Sequence, residues 1–68
     1  MEPVSSSNVS SIGYDAETSC LFIAFNNGSL YSYDNVAVDT YREFINAPSK
    51  GRFVAYRIRG KYPYRRIR

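Results

Sequence analysis

An Asn-Gly pair, Asn27-Gly28, separates two short apolar segments near the middle of the chain, and few folds are compatible with that arrangement. The central residues of a two-residue type I′ turn both need positive φ, which asparagine and glycine adopt most readily. The segment before the pair, Cys20–Phe25, is short and contains β-branched and aromatic residues, which favours a strand over a helix. The sequence therefore predicts a β-hairpin in which Cys20–Phe25 pairs with Leu30–Tyr33.

The predicted turn also determines which side chains share a face of the hairpin, because a two-residue loop places Phe25 opposite Leu30. One face then carries the mainly aliphatic set Leu21, Ile23, Phe25, Leu30 and Ser32. The other face carries Cys20, Phe22, Ala24, Tyr31 and Tyr33. We expect the first face to form the core. Two interpretations of the second face remain open. Tyr31 and Tyr33 are half-buried under the C-terminal segment, or Phe22, Tyr31 and Tyr33 form an open platform on which single-stranded bases stack.

The residues on either side of the hairpin predict a third strand and a helix. Residues 9–14 alternate weakly and precede residues 15–19, whose composition is typical of a turn. After the hairpin the apolar period becomes that of a helix, with one stripe formed by Val38, Tyr41, Phe44 and Ile45. Pro48 is expected to end this helix, since the residue before a proline avoids the α conformation.

A second helical segment is predicted to begin after Ser49, whose hydroxyl suits an N-cap. Val54 and Ile58 share one face of such a helix, and Gly60 suits the position just after its end. A strand is the alternative for residues 50–59, because apolar and polar residues also alternate there.

Together these elements predict an α+β fold: a three-stranded antiparallel β-meander packed by one or two short helices, with a basic extended C-terminal segment. Residues 1–8 are polar and Ser-rich and are predicted to be a flexible N-terminus, and residues 9–68 to be a single domain. A chain this short buries only about 60% of its unfolded surface. One cysteine and no histidine exclude an internal disulfide and the usual zinc site, so aromatic residues or self-association have to supply the stability.

Charge divides the chain into two parts of opposite sign. Residues 1–49 contain six acidic residues and one basic residue, whereas residues 50–68 contain eight basic residues and no acidic one. A cationic segment of this kind attracts phosphates or carboxylates. Two interpretations remain open: the segment binds an anionic partner such as nucleic acid, or its cations pair with the chain's own acids and act as a structural clasp.

Few residues are available for catalysis, so we expect no enzymatic activity, no cofactor and no bound metal. Histidine, the usual base near neutral pH, is absent. Cys20 lies in an apolar run and is predicted to be a small core residue rather than a nucleophile. The Ser49-Lys50-Gly51 segment at a helix start is either a simple N-cap or a phosphate site that uses free backbone N–H groups.

Several short segments, taken in order, resemble the KTSC domain. They are Ser10-Ser11-Ile12, Gly13-Tyr14-Asp15, Tyr31-Ser32-Tyr33, Ala47-Pro48-Ser49-Lys50-Gly51 and residues 58–67. The KTSC domain occurs at the C-terminus of some lysyl-tRNA synthetases and as a stand-alone protein; its function is largely unassigned, and RNA binding has been suggested for it. The chain departs from the family at Ala37, where a proline often opens the helix. The resemblance implies a small binding module, and it carries over no role in tRNA charging.

The sequence as a whole predicts a small non-enzymatic module that binds single-stranded RNA or DNA. The residues predicted to contact the nucleic acid are Tyr31, Tyr33, Lys50, Arg52, Arg57, Arg59, Lys61, Tyr62, Tyr64, Arg65 and Arg66. The alternative function is a protein-interaction module or small regulator that docks on an acidic partner surface, with a homodimer as one form. A lone thiol, no export signal and no apolar run of membrane-spanning length predict a cytoplasmic protein.

Overall fold

In the part of the chain that the structure describes, five antiparallel strands form one sheet whose order follows the chain, β1-β2-β3-β4-β5. The structure, a computed structural model, describes residues 1–4 and 6–68. The strands are β1 (Glu2–Pro3), β2 (Val9–Asp15), β3 (Cys20–Phe25), β4 (Leu30–Tyr33) and β5 (Tyr64–Arg66). Helix α1 (Val38–Asn46) follows β4, and helix α2 (Lys50–Phe53) continues directly into a π-helical segment (Val54–Ile58). The predicted α+β fold is confirmed, and the sheet has more strands than the three predicted.

The hairpin between β3 and β4 has a three-residue loop, so the predicted two-residue turn was wrong. The N–H of Phe25 donates to the carbonyl of Ser29 at 2.8 Å, and the N–H of Gly28 donates to the carbonyl of Phe25 at 3.0 Å. Gly28 has φ +91°, which suits the closing residue of a three-residue loop built on a type I turn. The side-chain oxygen of Asn27 accepts hydrogen bonds from the N–H and the hydroxyl of Ser29, which stabilises this longer loop.

The longer loop moves β4 by one residue along β3, and this exchanges the two faces of β4. The observed pairs include Leu21 with Tyr33 and Ile23 with Tyr31. Tyr31 and Tyr33 therefore lie on the core side of the sheet, and their predicted place on the other face was wrong. Leu30 and Ser32 were predicted on the core face and instead lie opposite to it. We call this opposite face, which carries Phe22, Ala24, Leu30 and Ser32, the outer face.

The core lies between the sheet and the helical segments, on the side away from the outer face. Its buried members are Val9, Ile12, Leu21, Ile23, Tyr33, Val36, Phe44, Phe53, Val54 and Ile58. Tyr14 joins β2 to the region of α1, because its ring stacks on Tyr41 with centroids 4.9 Å apart. Its hydroxyl also donates to the carbonyl of Val36 at 2.5 Å. The two contacts hold α1 against one side of the sheet.

Helix α1 ends where the sequence predicts, since the residue before Pro48 is extended, with ψ 135°. Phe44 is the buried residue of its apolar stripe, and Tyr41 is half-buried. Val38 and Ile45, at the margins of the predicted stripe, remain 42% and 41% exposed. The contact between α1 and the sheet is therefore narrower than the apolar stripe.

The second helical segment is confirmed, and the strand alternative for residues 50–59 was wrong. The hydroxyl of Ser49 caps α2 by accepting from the N–H of Arg52 at 3.3 Å. The π-helical turn is closed by a hydrogen bond of 2.7 Å from the N–H of Arg59 to the carbonyl of Val54. Gly60 follows with φ +76°, as its predicted position after the helix end requires. None of the helices in the described ranges has the length and apolar character needed to cross a bilayer.

The two ends of the chain add short strands at opposite edges of the sheet. Strand β1 pairs with β2 through Glu2 with Ile12 and Pro3 with Ser11. Strand β5 pairs with β4 through Tyr64 with Tyr33, Arg65 with Ser32 and Arg66 with Tyr31. The basic C-terminal segment is extended as predicted from residue 64 onward, and it is an edge strand of the sheet. The predicted flexibility of residues 1–8 stays a prediction.

Candidate functional site

An open groove of about 700 Å³ lies on the core side of the sheet, beside the β3–β4 hairpin, β5 and the π-helical segment. The aromatic residues that line it are Phe25, Tyr31, Tyr33 and Tyr64. The polar and charged residues that line it include Asn8, Asn26, Asn27, Ser29 and Arg59. We call it the aromatic groove. It brings together side chains from both ends of the chain and from the central hairpin.

The four rings of the aromatic groove contact one another. Tyr31 and Tyr33 stack with centroids 6.4 Å apart, and Tyr64 lies 6.0 Å from each of them. Phe25 meets Tyr31 edge to face at 5.7 Å. Exposure rises toward the edge of the sheet, from 6% for Tyr33 to 65% for Tyr64. Tyr64 therefore presents the accessible ring of this cluster.

Arg59 places a positive charge beside these rings. Burial raises the pKa of the Tyr33 hydroxyl, with smaller upward contributions from Tyr31 and Tyr64, whereas the charge of Arg59 acts to lower it. The net shift is upward, so Tyr33 is a neutral phenol near neutral pH. Among the described side chains, no carboxylate forms an ion pair with Arg59, and its guanidinium is available to an external anion.

A second recess of about 470 Å³ adjoins the aromatic groove. It is lined by Ser6, Ser7, Asn8, Pro48, Ser49, Lys50, Gly51, Arg52, Ala55 and Tyr56. We call it the side recess. Four of its residues, Ser7, Asn8, Gly51 and Ala55, also line the aromatic groove, so the two depressions are contiguous.

Arg57 and Lys50 of the basic segment bind groups of the acidic part of the chain. Arg57 forms an ion pair of 3.0 Å with Glu43 and lies over the ring of Phe53, 5.0 Å from its centroid. The ammonium group of Lys50 donates to the carbonyls of Ile45 and Ala47 and so caps the end of α1. Within the described residues, Arg57–Glu43 is the one ion pair that joins residues 50–68 to the acidic part of the chain. A clasp made of many such pairs is therefore not present in those residues.

Alternation along β5 directs its two arginines to opposite faces of the sheet. Arg66 pairs with Tyr31, so its side chain lies on the groove side of the sheet. Its Nε donates to the carbonyl of Arg68 at 3.2 Å. Arg65 pairs with Ser32, so its side chain lies on the outer face. Lys61 is exposed in the turn that follows the π-helical segment, and Tyr62 packs against the core.

The predicted contact residues therefore separate into three groups. Those that line the aromatic groove or the side recess are Tyr31, Tyr33, Lys50, Arg52, Arg59 and Tyr64. Arg66 lies on the same side of the sheet, whereas Arg57, Lys61, Tyr62 and Arg65 lie elsewhere. The sequence prediction did not include Phe25 and Tyr56. Tyr56 carried a usable signal, since it is an aromatic residue inside the basic segment, but the face of Phe25 depended on the hairpin loop.

Cys20 lies on the outer face, half-buried and outside the core cluster, although the sequence predicted a core residue. Partial burial raises the pKa of its thiol, and the carboxylates of Asp34 and Asp15 raise it further. The Cys20 sulfur lies 3.9 Å from a carboxylate oxygen of Asp34. A raised pKa leaves less thiolate at neutral pH and makes this thiol a poor nucleophile. Among the described residues, no group of three or more histidine, cysteine, aspartate or glutamate side chains is arranged to hold a metal ion.

The sequence matches the profile of the KTSC domain over residues 5–62. The fold is similar to the crystal structure of a KTSC domain protein from Yersinia pestis, with a TM-score of 0.93 and 43% sequence identity. That similarity covers 98% of this chain and 94% of the Yersinia chain.

Relatives of two different lengths share this sequence. A lysine–tRNA ligase from Trichormus variabilis is 37% identical over 54 residues, which are 79% of this chain and 10% of the ligase. A protein from Tsukamurella paurometabola is 37% identical over 54 residues, which are 79% of this chain and 81% of that protein. The chain thus spans about a tenth of the ligase and most of the smaller relative.

Proposed function

The chain belongs to the KTSC domain family, and we propose that it is a small non-enzymatic module that binds single-stranded RNA or DNA in the aromatic groove. The observation that carries this proposal is the cluster of Tyr31, Tyr33 and Tyr64 in the same groove as Arg59. Tyrosine rings and guanidinium groups both stack on bases, and guanidinium groups also bind phosphates.

Access to the rings favours a single strand over a duplex. The accessible tyrosine lies in a groove beside a helix, and a base can stack on it only when it is not stacked within a duplex. Stacking of this kind tolerates every base, because each has a π-face. The proposed ligand is therefore an unpaired segment, with little sequence preference.

The charge of the basic segment supports the same proposal. Residues 50–68 carry eight cations, and Arg57 is the one of them with a carboxylate partner among the described side chains. Unpaired arginines beside stacking rings attract the phosphates of a strand and hold it over the groove. The absence of histidine and the raised pKa of the Cys20 thiol support a binding role rather than a catalytic one. A free thiol also fits the cytoplasmic location that the sequence predicts.

The test compares two variants that remove the same charge from opposite faces of the sheet. Labelled single-stranded RNA and DNA are titrated at low salt, with fluorescence anisotropy as the measurement. We expect Arg59→Gln to weaken binding by about tenfold or more, as the loss of a hydrogen bond to a charged group does. We expect Arg65→Gln, on the outer face, to weaken it far less. Equal losses in both variants would point to diffuse charge attraction, and no binding by the unaltered protein would end the proposal.

The outer face supports protein docking as a second candidate function. It carries Phe22 and Leu30, and Ile67 beside them is 51% exposed, while the buried helix residues all belong to the core on the other side. Phe22 and Leu30 are half-buried, so the face presents a small, partly exposed apolar surface. Such surface is a common feature of protein interfaces, and Arg65 adds a cation that suits an acidic partner. A homodimer is the simplest form, and light scattering is expected to show twice the 7.8 kDa chain mass. Leu30→Ser should then restore the single-chain mass, and a single-chain mass for the unaltered protein at every concentration would contradict the dimer.

A further inference from the structure

We infer that the aromatic groove and the side recess form one continuous track for a single strand, with one base stacked on Tyr64 and another on Tyr56. The inference rests on the proposed function and deepens it, because it defines the ligand as a strand long enough to reach both rings. It also assigns a role to Tyr56 and Arg52, which line the side recess but not the aromatic groove.

The ring spacings show where a base can stack in the aromatic groove. A base inserted between two rings needs about 3.5 Å on each side, so the rings must be about 7 Å apart. The centroids of Tyr31, Tyr33 and Tyr64 are 6.0 to 6.4 Å apart, which is too close for a base to insert between two of these rings. Tyr64, with 65% of its surface exposed, is the most accessible stacking surface of the cluster. The aromatic groove therefore holds one stacked base, and a longer ligand needs a second ring elsewhere.

Tyr56 supplies that second ring. It lines the side recess, is 73% exposed, and stacks on no other aromatic ring of the described residues. Its place in the π-helical segment, whose other side buries Val54 and Ile58, keeps its ring outside the core. An exposed tyrosine with a free face is the feature that single-strand binding surfaces use.

The aromatic groove and the side recess share four lining residues. Ser7, Asn8, Gly51 and Ala55 line both depressions, and their side chains are small or absent except for Asn8. A Cβ added at Gly51 would lie 3.1 Å from the side-chain nitrogen of Asn8, so the two residues already approach closely. Gly51 is inside α2, where glycine is unfavourable for the helix, and its φ is not positive. Glycine therefore lets the Asn8 side chain pack directly against α2 where the two depressions meet, and a larger side chain there would push Asn8 into the connection between them.

Each of the two depressions has an arginine as well as an exposed tyrosine in its lining. Arg59 lines the aromatic groove with Tyr64, and Arg52 lines the side recess with Tyr56. Lys50 also lines the recess, but its ammonium group is held by two carbonyls at the end of α1. This arrangement of one ring and one arginine at each end matches a strand that places a base and a phosphate at each position.

The experiment compares fluorescein-labelled oligouridylates of about three and about eight nucleotides, the longer within the usual site size of small single-strand binding domains. We expect Tyr64→Ala to weaken binding of both oligonucleotides by about tenfold, in the range of one lost stack. We expect Tyr56→Ala to weaken the longer one by a similar factor and to change the shorter one by less than about twofold, because a short strand occupies the aromatic groove alone. Gly51→Leu is expected to make the longer oligonucleotide bind as weakly as the shorter one.

The outcomes separate this inference from the proposed function. No binding of either oligonucleotide by the unaltered protein would overturn the proposed function itself. If the longer oligonucleotide binds tightly and Tyr56→Ala leaves that binding unchanged, the track is wrong, while the aromatic groove remains the proposed binding site. Because Gly51→Leu changes a helix residue, the thermal unfolding of this variant is measured first. Tyr56 is exposed, so Tyr56→Ala tests the track even if Gly51→Leu destabilises the fold.

Discussion

Replacing Phe44 with alanine is expected to remove most of the stability of the fold. Phe44 has no exposed surface, and its ring stacks on Phe53 with centroids 5.0 Å apart and an interplanar angle of 17°. Truncation of a buried phenylalanine costs about 3–5 kcal/mol, because apolar burial is lost and a cavity remains. A domain of this size has a free energy of unfolding of about 3–10 kcal/mol, at about 0.05–0.15 kcal/mol per residue. At the lower end of that range the variant should be largely unfolded or close to its midpoint at physiological temperature.

Urea and thermal unfolding followed by circular dichroism measure this loss. Each kcal/mol lowers the melting temperature of a domain of this length by about 4–8 °C, so a fall of tens of degrees is expected. Ile45→Ala is the matched control, since Ile45 is the next residue of the same helix and is 41% exposed. We expect it to cost less than about 1 kcal/mol. Similar losses in both variants would contradict the central role of the Phe44–Phe53 contact.

Affinity for a single strand is expected to fall about 20-fold when salt rises from about 50 to about 200 mM, because about three phosphates are neutralised. The three cations are Arg52 and Arg59, which line the track, and Arg66, which leaves the sheet on the same side. For single strands each neutralised phosphate contributes about 0.7 to the slope of log affinity against log salt, which gives a slope of about −2. If all eight cations of residues 50–68 acted together, the same change in salt would cost about 10³-fold or more.

Anisotropy titrations at several salt concentrations measure this slope directly. Arg59→Gln should make the slope less steep by about 0.7, which is the contribution of one phosphate on a single strand. Arg65→Gln removes the same charge from the outer face and should leave the slope unchanged. A slope steeper than about −4 would mean that more cations act than the track holds.

Local signals in the sequence were sufficient to predict most of the elements. The bounds of β3 and β4 agree with the apolar runs, and α1 ends before Pro48. Ser49 and Gly60 mark the two ends of the second helical segment as predicted. Each of these features depends on residues close together in the chain, where propensity and capping chemistry decide the outcome.

The register of the hairpin was not predictable in the same way. The choice between a two-residue and a three-residue loop depends on the hydrogen bonds that Asn27 makes to Ser29. One residue of difference exchanged the faces of β4 and moved Tyr31 and Tyr33 from the face predicted for them into a groove on the core side. The groove itself also needs β5, whose pairing joins Arg65 to Ser32 across a long stretch of chain. No local pattern encodes such a pairing. The sequence therefore identified the aromatic and basic residues as candidates but did not predict which of them lie together in the groove.

The position of β5 allows stability and recognition to change independently in evolution. Every buried apolar residue that the structure describes lies between Val9 and Ile58, whereas Tyr64 and Arg66 come after them. Substitutions of Arg65 and Arg66 can alter the charge of the last strand while the interior keeps its packing, whereas a change at Tyr64 also removes a contact with the buried Tyr33. The charge at this edge of the sheet can therefore change among related chains that retain the same folded body.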